Sequence, residues 1–245
     1  MIKLMIHLTK IIIATCIALL FGSCSLAFDG KSITGSGNVV SKERKVENFT
    51  KIELKRGLDC EVKQSDSFKV VVVADDNLQE GIKTKVENGT LIIDSEYGNY
   101  NNVKSKTIQV FMPVIDVLET TSGSSLKTIG TIKGNNIHLK SSSGSSLDAE
   151  VESENLTLES TSGSTLTASG KAIELNTLSS SGSAIDATNL LANNINSQSS
   201  SGSNTEVSPI LLLKAQASSG SSIEYVKTPK TISKQESSGG SVSTK

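Results

Sequence analysis

The sequence predicts an all-β fold, a β-solenoid in which one chain winds into stacked coils of about 20 residues each. Three observations predict it. The tripeptide Ser-Gly-Ser recurs around Gly123, Gly144, Gly163, Gly182, Gly202 and Gly220, with an imperfect seventh copy, Ser238-Gly239-Gly240. Successive glycines are 21, 19, 19, 20, 18 and 19 residues apart. Between them apolar residues alternate with period 2, and no unit carries the i, i+3, i+4 spacing of an amphipathic helix.

The apolar columns are legible when each unit is numbered from its glycine. Three residues on stand Leu126, Leu147, Leu166, Ile185, Thr205, Ile223 and Val242. Five residues on stand Thr128, Ala149, Ala168, Ala187, Val207 and Tyr225. Seven residues before the next glycine stand Ile137, Leu156, Leu175, Ile195, Leu213 and Ile232, and five before it Leu139, Leu158, Thr177, Ser197, Ala215 and Lys234. Residues two apart share one face of a strand. Each unit therefore has two short strands with an inward face that one coil cannot bury alone but a stack can. At about 4.8 Å per strand, six intervals span roughly 29 Å. The glycine suits a corner, through a positive φ or a close backbone approach. The serines are small enough to stack and can hydrogen-bond the corner backbone. Asn136, Asn155 and Asn194 share another position and mark a second, less regular corner.

Along the chain, residues 1–23 read as an export signal. Lys3 and Lys10 precede an apolar run, Ile11 to Phe21, that is short for a bilayer span. Phe21-Gly22-Ser23-Cys24 has the small-residue approach of a lipoprotein signal, with Phe21 where Leu is usual. Cys24 is the expected site of acylation, giving a lipid anchor in the bacterial outer membrane. An ordinary signal peptide cleaved near Ser23 or Ala27, or an uncleaved anchor, is the alternative. Residues 24–34 read as a tether and 35–245 as one domain, with regular repeats over 121–245. Before the repeats, strands are expected at Leu58–Val62, Phe68–Val73, Ile82–Val86, Leu91–Ile93 and Thr107–Met112. Asn88-Gly89 is a hairpin signal, and Tyr97 to Asn102 reads as an exposed loop. The last turn, Val242 to Lys245, is incomplete, so the C-terminal edge needs cover from residues 230–245, a partner or a second copy.

Composition excludes several functions. Net charge is −1 and the pI about 6.2, which leaves no basic footprint for nucleic acid. Aromatics make up 3% and there is no Trp, so stacking platforms for sugars are scarce. Three Cys and two His support neither a disulfide framework nor a Cys/His metal centre, and no cofactor is expected. Cys60, between Leu58 and Val62, reads as a buried thiol. Repetition also argues against serine catalysis, since a nucleophile needs its own base. Two surface features remain as candidates. Asp186, Glu206 and Glu224 occupy the outward position four residues after successive glycines and form a stripe that could draw cations or a basic partner. Tyr97 and Tyr100 could make a ligand loop. Asp75, Asp76 and Glu80 suggest a cation site at first sight, but a solvated turn is the better reading.

Gly35-Ser36-Gly37-Asn38-Val39, Phe49-Thr50-Lys51-Ile52-Glu53-Leu54 and Gly57-Leu58-Asp59-Cys60-Glu61-Val62, followed by serial Ser-Gly-Ser turns, resemble the family called the putative auto-transporter adhesin, head GIN domain. The resemblance covers about residues 35–245. It implies an exported bacterial protein, often a lipoprotein, with a right-handed single-stranded parallel β-helix and no established catalytic residues. The expected function is a membrane-anchored, non-enzymatic surface for a glycan or an envelope protein. A carbohydrate-active β-helix enzyme and a structural envelope component are the alternatives, and the absence of Arg from Gly123 to Lys245 weighs against the enzyme.

Overall fold

A computed structural model describes residues 31–245, and Lys10 alone before them. Apart from Lys10, the segment read as an export signal (1–23) and Cys24 lie outside the described residues. In chain order the strands are β1 (Lys31–Thr34), β2 (Val39–Arg44), β3 (Lys51–Leu54), β4 (Asp59–Gln64), β5 (Lys69–Asp75), β6 (Ile82–Glu87), β7 (Thr90–Ser95), β8 (Tyr97–Asn101), β9 (Lys106–Met112), β10 (Val117–Thr120), β11 (Ser125–Ser141), β12 (Ser146–Ser160), β13 (Thr165–Ser179), β14 (Ala184–Ser199), β15 (Asn204–Ala217), β16 (Ser222–Tyr225), β17 (Thr231–Glu236) and β18 (Ser241–Thr244). They form a β-solenoid of about 7 turns with about 19 residues per turn.

Coils β11 to β15 pair in parallel, each with the next. Leu126, Leu147, Leu166, Ile185, Thr205 and Ile223 stack in one buried column. Ile137, Leu156, Leu175, Ile195 and Leu213 stack in another. Full burial of each such side chain contributes about 2 kcal/mol. Where the unit before Gly123 has Asp116, Ile115 fills the interior and Leu118 enters the column with Leu139. The register shifts at Lys127/Thr131, Thr167/Ser169, Ala187/Leu191 and Ala192/Asn194. Those shifts absorb the uneven glycine spacing, whereas the Asn136, Asn155 and Asn194 position stays in register, with Glu174 as its third member.

The N-terminal part continues the stack out of sequence order. β3 and β4 form one coil, lying under β10 and β11. β7 and β9 form the coil beyond it. The chain thus lays β9 outside β3–β4 and crosses back to begin the regular repeats. Antiparallel strands close this end: β6 on β7, β5 on β9 and β2 on β5. The β6–β7 hairpin turns at Asn88-Gly89, with φ of 49° and 72°, the two positive values of a type I′ turn.

Three expectations change here. The stretch read as tether ends in strand, because β1 pairs with β8. Tyr97 to Asn101 is strand rather than exposed loop, since β1 supplies it with a backbone partner. Asp75 is buried and not part of a solvated turn. Its carboxylate accepts the N–H groups of Gly37, Lys104 and Ser105 at 2.8, 3.1 and 3.0 Å, while Asp76 accepts from the Ser36 hydroxyl and the Asn38 amide. The Gly35–Val39 segment is therefore a strap clamped by two aspartates. A side chain at Gly35 would lie 2.4 Å from the Asp75 carboxylate, so only glycine fits that crossing.

The C-terminal end is covered by its own charged residues. Lys234 and Glu236 continue the inward columns of Ala215 and Ala217. Lys234 Nζ donates to Val242 O at 3.0 Å and lies 4.9 Å from the Tyr225 ring centre, and Glu236 accepts from Val242 N at 2.6 Å. Charges turned inward at a last strand discourage edge pairing. Ile232, expected in the core, is 36% exposed on β17, which pairs with β15 on one side.

Candidate functional site

The repeated tripeptide has first claim on chemistry, and its geometry is that of a corner. At Gly123, Gly144, Gly163, Gly182, Gly202 and Gly220, φ lies between +68° and +71°, and the preceding serine is also positive, at 53–56°. Both central residues of the turn are thus left-handed, as in type I′. An added Cβ on any of these six glycines meets nothing within 4 Å. The glycine is required for its φ, then, and not for close approach. Each corner glycine N–H donates to the carbonyl of the next coil's leading serine, from Gly123 to Ser143 (3.1 Å) up to Gly220 to Ser238 (3.1 Å). Gly57 does the same toward Ser122 at 2.9 Å. Arg56-Gly57, with φ of 57° and 67°, is thus an additional corner that lacks both serines. Its conformation matches the others while its residues do not, so no repeat search on Ser-Gly-Ser could find it.

The two serines of the motif differ. The leading one faces solvent, and the trailing one (Ser124, Ser145, Ser164, Ser183, Ser203, Ser221) is buried. The Ser164 hydroxyl lies 2.7 Å from Ser141 O in the coil below and 2.8 Å from Thr161 O, and accepts Thr161 N at 3.1 Å. Ser145, Ser183 and Ser221 reach Thr120 O, Ser160 O and Ser199 O in the same way. Beside them Ser141, Ser160, Ser179 and Ser199 share hydrogen bonds with the trailing serines. This buried hydroxyl ladder ties coil to coil. Among the described residues no base stands beside it; the Ser145, Ser164, Ser183, Ser203 and Ser221 hydroxyls meet backbone carbonyls, whereas the buried Ser124 hydroxyl has no partner.

Asp186, Glu206 and Glu224 do stack on successive coils, all half-buried. The column is partly neutralised from within. Asp186 accepts from the Thr188 hydroxyl and amide, and Glu206 pairs with Lys245. Tyr97 and Tyr100 are half-buried against the core. The Tyr100 hydroxyl donates to Arg56 O at 3.0 Å, and its ring lies 3.3 Å from where a Gly57 side chain would stand. Burial raises the Tyr100 pKa above the usual phenol range. The tyrosines cap the end of the corner column and do not form an open ligand loop. Cys60 is buried, and burial, with Glu61 and Asp59 adding to it, pushes its thiol far above the ordinary range. His138 points outward, its Nε2 3.3 Å from Glu159 Oε2. Burial, with Lys140 next, holds its pKa below the ordinary imidazole value.

Two recesses cross several coils. The larger, about 520 Å³, lies where the register shifts occur. Ile173 and Ile210, 48% and 42% exposed, stand on one wall and Lys171 and Leu191 on the other. The smaller, about 310 Å³, runs beside the Ser-Gly corners of β12 to β15. Its rim carries Leu178, Gln198 and Gln216 on one side and Ser180, Ser200 and Ser218 on the other. Sequence reasoning missed these outward amides. They stand four residues before a corner glycine, between the inward residues five and three before it, and reading that position along the chain would have found them.

Among curated proteins no relative matches the sequence. Solved structures share the fold. A putative adhesin from Bacteroides fragilis, 20% identical, has a TM-score of 0.79 over 87% of this chain and 99% of its own. A putative lipid binding protein from Parabacteroides distasonis, also 20% identical, has a TM-score of 0.69 over 88% and 100%. A putative adhesin from Parabacteroides merdae, 14% identical, has a TM-score of 0.69 over the same shares. The family model for the putative auto-transporter adhesin, head GIN domain, matches residues 48–229, which takes in two of the three antiparallel closing strands, β5 and β6, the Arg56-Gly57 corner and every coil from β11 to β16. The chain therefore belongs to the putative auto-transporter adhesin, head GIN domain family.

Proposed function

We propose that this chain is a non-enzymatic binding protein of the bacterial envelope, held at the outer membrane by a lipid on Cys24, with the outward columns of its solenoid as the adhesive surface. The observation that carries the reading is the register. Outward side chains repeat from coil to coil over β11 to β15, which makes a rigid, flat surface several coils long with little ordering cost on binding. The three carboxylates Asp186, Glu206 and Glu224 stand in one line on one face, whereas hydrolysis of a glycosidic bond needs two acids flanking the bond. The test uses full-length chain expressed in a bacterial host. Palmitate labelling is expected to be lost in Cys24→Ala, and adherence of cells to envelope-coated or host-cell surfaces to exceed that of cells without the protein. Equal adherence with and without it would contradict the reading.

A second reading is favoured by the larger recess. Its Ile173 and Ile210 wall, facing Leu191 and Lys171, suits an acyl chain with an anionic head, in keeping with the lipid-binding name of one similar structure. Saturable binding of a fluorescent fatty acid, lost in Ile173→Asp, would support it. Binding unchanged by that substitution would exclude it.

A further inference from the structure

Resting on the adhesive reading above, we infer that the groove beside the Ser-Gly corners of β12 to β15 binds a neutral polyhydroxylated chain, a linear glycan lying along the coil axis. The groove crosses four coils, about 14 Å at roughly 4.8 Å each.

Its rim is free to bind. Gln198 and Gln216 are exposed, and among the described residues neither amide is held by another side chain. Neighbouring amides on the same face are occupied: Asn155 donates to Asn136 at 3.1 Å and Asn194 to Glu174 at 2.6 Å. A primary amide offers a donor and an acceptor side by side, and a hydroxyl does both at one atom. Two such amides on adjacent coils, facing the Ser200 and Ser218 hydroxyls, match successive hydroxyl pairs of a sugar chain. Leu178, 42% exposed between them and Glu159, supplies an apolar spot for a sugar's C–H face.

Charge selects against the other ligands. Between Glu159 at one end of this face and Lys214 at the other, β13 and β14 present Asn176, Leu178, Asn196 and Gln198, all uncharged. The exposed Lys214, two residues before Gln216, is balanced across the face by Glu159, so a uronate, a phosphate or a polycation finds no net charge to hold it. An extended peptide gains little, because β13 and β14 are hydrogen-bonded on both sides and offer no main-chain edge for strand addition. With no aromatic ring in the groove, each site binds weakly, and many anchored copies supply the avidity.

The test is retention of labelled polymers on beads carrying the full chain at high density. Dextran and laminarin are the neutral probes and polygalacturonate the anionic one. Neutral polymer is expected to be retained, and Gln198→Ala/Gln216→Ala to lower retention about tenfold, the loss of one to two neutral hydrogen bonds per site. Asp186→Asn/Glu206→Gln should leave it unchanged. Gln198 and Gln216 are exposed and the two carboxylates half-buried, and circular dichroism checks that the coil persists in both variants. Equal retention by the glutamine variant, preference for polygalacturonate, or no retention of either neutral polymer overturns the inference. If neutral polymers fail while the glutamine variant still abolishes cell adherence, the face is adhesive toward a protein and only the glycan assignment falls.

Discussion

Replacing the two serines of one corner separately should give opposite results. Ser162 and Ser164 flank Gly163, yet Ser162 is exposed and Ser164 buried. Ser162→Ala keeps a left-handed residue at the same φ and removes no buried hydrogen bond, so stability should change by under about 0.5 kcal/mol. Ser164→Ala removes a hydroxyl that reaches Ser141 O in the adjacent coil and accepts Thr161 N at 3.1 Å. The donated bond is worth about 1 kcal/mol net, and the Thr161 N–H keeps its backbone acceptor, Ser141 O at 3.0 Å, so the loss should be about 1–2 kcal/mol. Urea unfolding followed by circular dichroism measures both. Hydrogen exchange should localise the second effect to amides of the Ser141–Ser164 corners. Equal destabilisation by the two substitutions, or none from Ser164→Ala, would refute the view that the trailing serine ties one coil to the next.

Other consequences follow from the same geometry. Gly163→Ala meets open space and carries only the left-handed strain, about 1 kcal/mol, whereas Gly170→Ala would place its methyl 2.1 Å from Val151 O and should cost several times more in a thermal melt. Burial pushes the Asp75 carboxyl up, but the N–H donors of Gly37, Ser105 and Lys104 outweigh it and hold its pKa below the usual carboxylate value. A depressed folded pKa means this stabilisation is complete above about pH 4 and is lost as the pH falls further. Exchange at Gly37, Lys104 and Ser105 should quicken in that acid range, and Asp75→Asn should destabilise the strap by about 2 kcal/mol and remove the pH dependence. Lys234→Leu/Glu236→Leu strips the charged cover from the last coil and should convert a monomer into end-to-end dimers or larger species by light scattering. An unchanged monomer would show that these charges do not guard the edge.

The coil was legible because its period is strict and its inward residues alternate. Spacing alone places Leu126 to Ile223 in one column and Ile137 to Leu213 in another. What escaped the sequence falls into two kinds. The Arg56-Gly57 corner and the β7–β9 coil are structurally equivalent to the repeats, but their side chains differ and their order in space is not their order in the chain. The positive φ of the leading serines also carries no residue signal, since asparagine or glycine is the usual choice there. Tyr97 and Tyr100 misled for a related reason. A Tyr-Gly-Asn-Tyr string reads as a surface loop until β1 is seen beside it and the corner column beneath it. Asp186, Glu206 and Glu224 stack as their spacing implies, yet their neighbours, Thr188 within the coil and Lys245 beside Glu206, depend on the fold.

A distance between the first and last regular corners tests the central claim most directly. Ser122 and Ser219 are exposed corner residues five coils apart, and the buried Cys60 is closed to labels. With Cys16 and Cys24 replaced by serine, nitroxides on Ser122→Cys and Ser219→Cys should lie about 24 Å apart by double electron–electron resonance, and each coil removed from the pair should shorten the distance by about 4.8 Å. A broad distribution, or a distance that does not fall in equal steps, would contradict a solenoid stacked on one Ser-Gly corner.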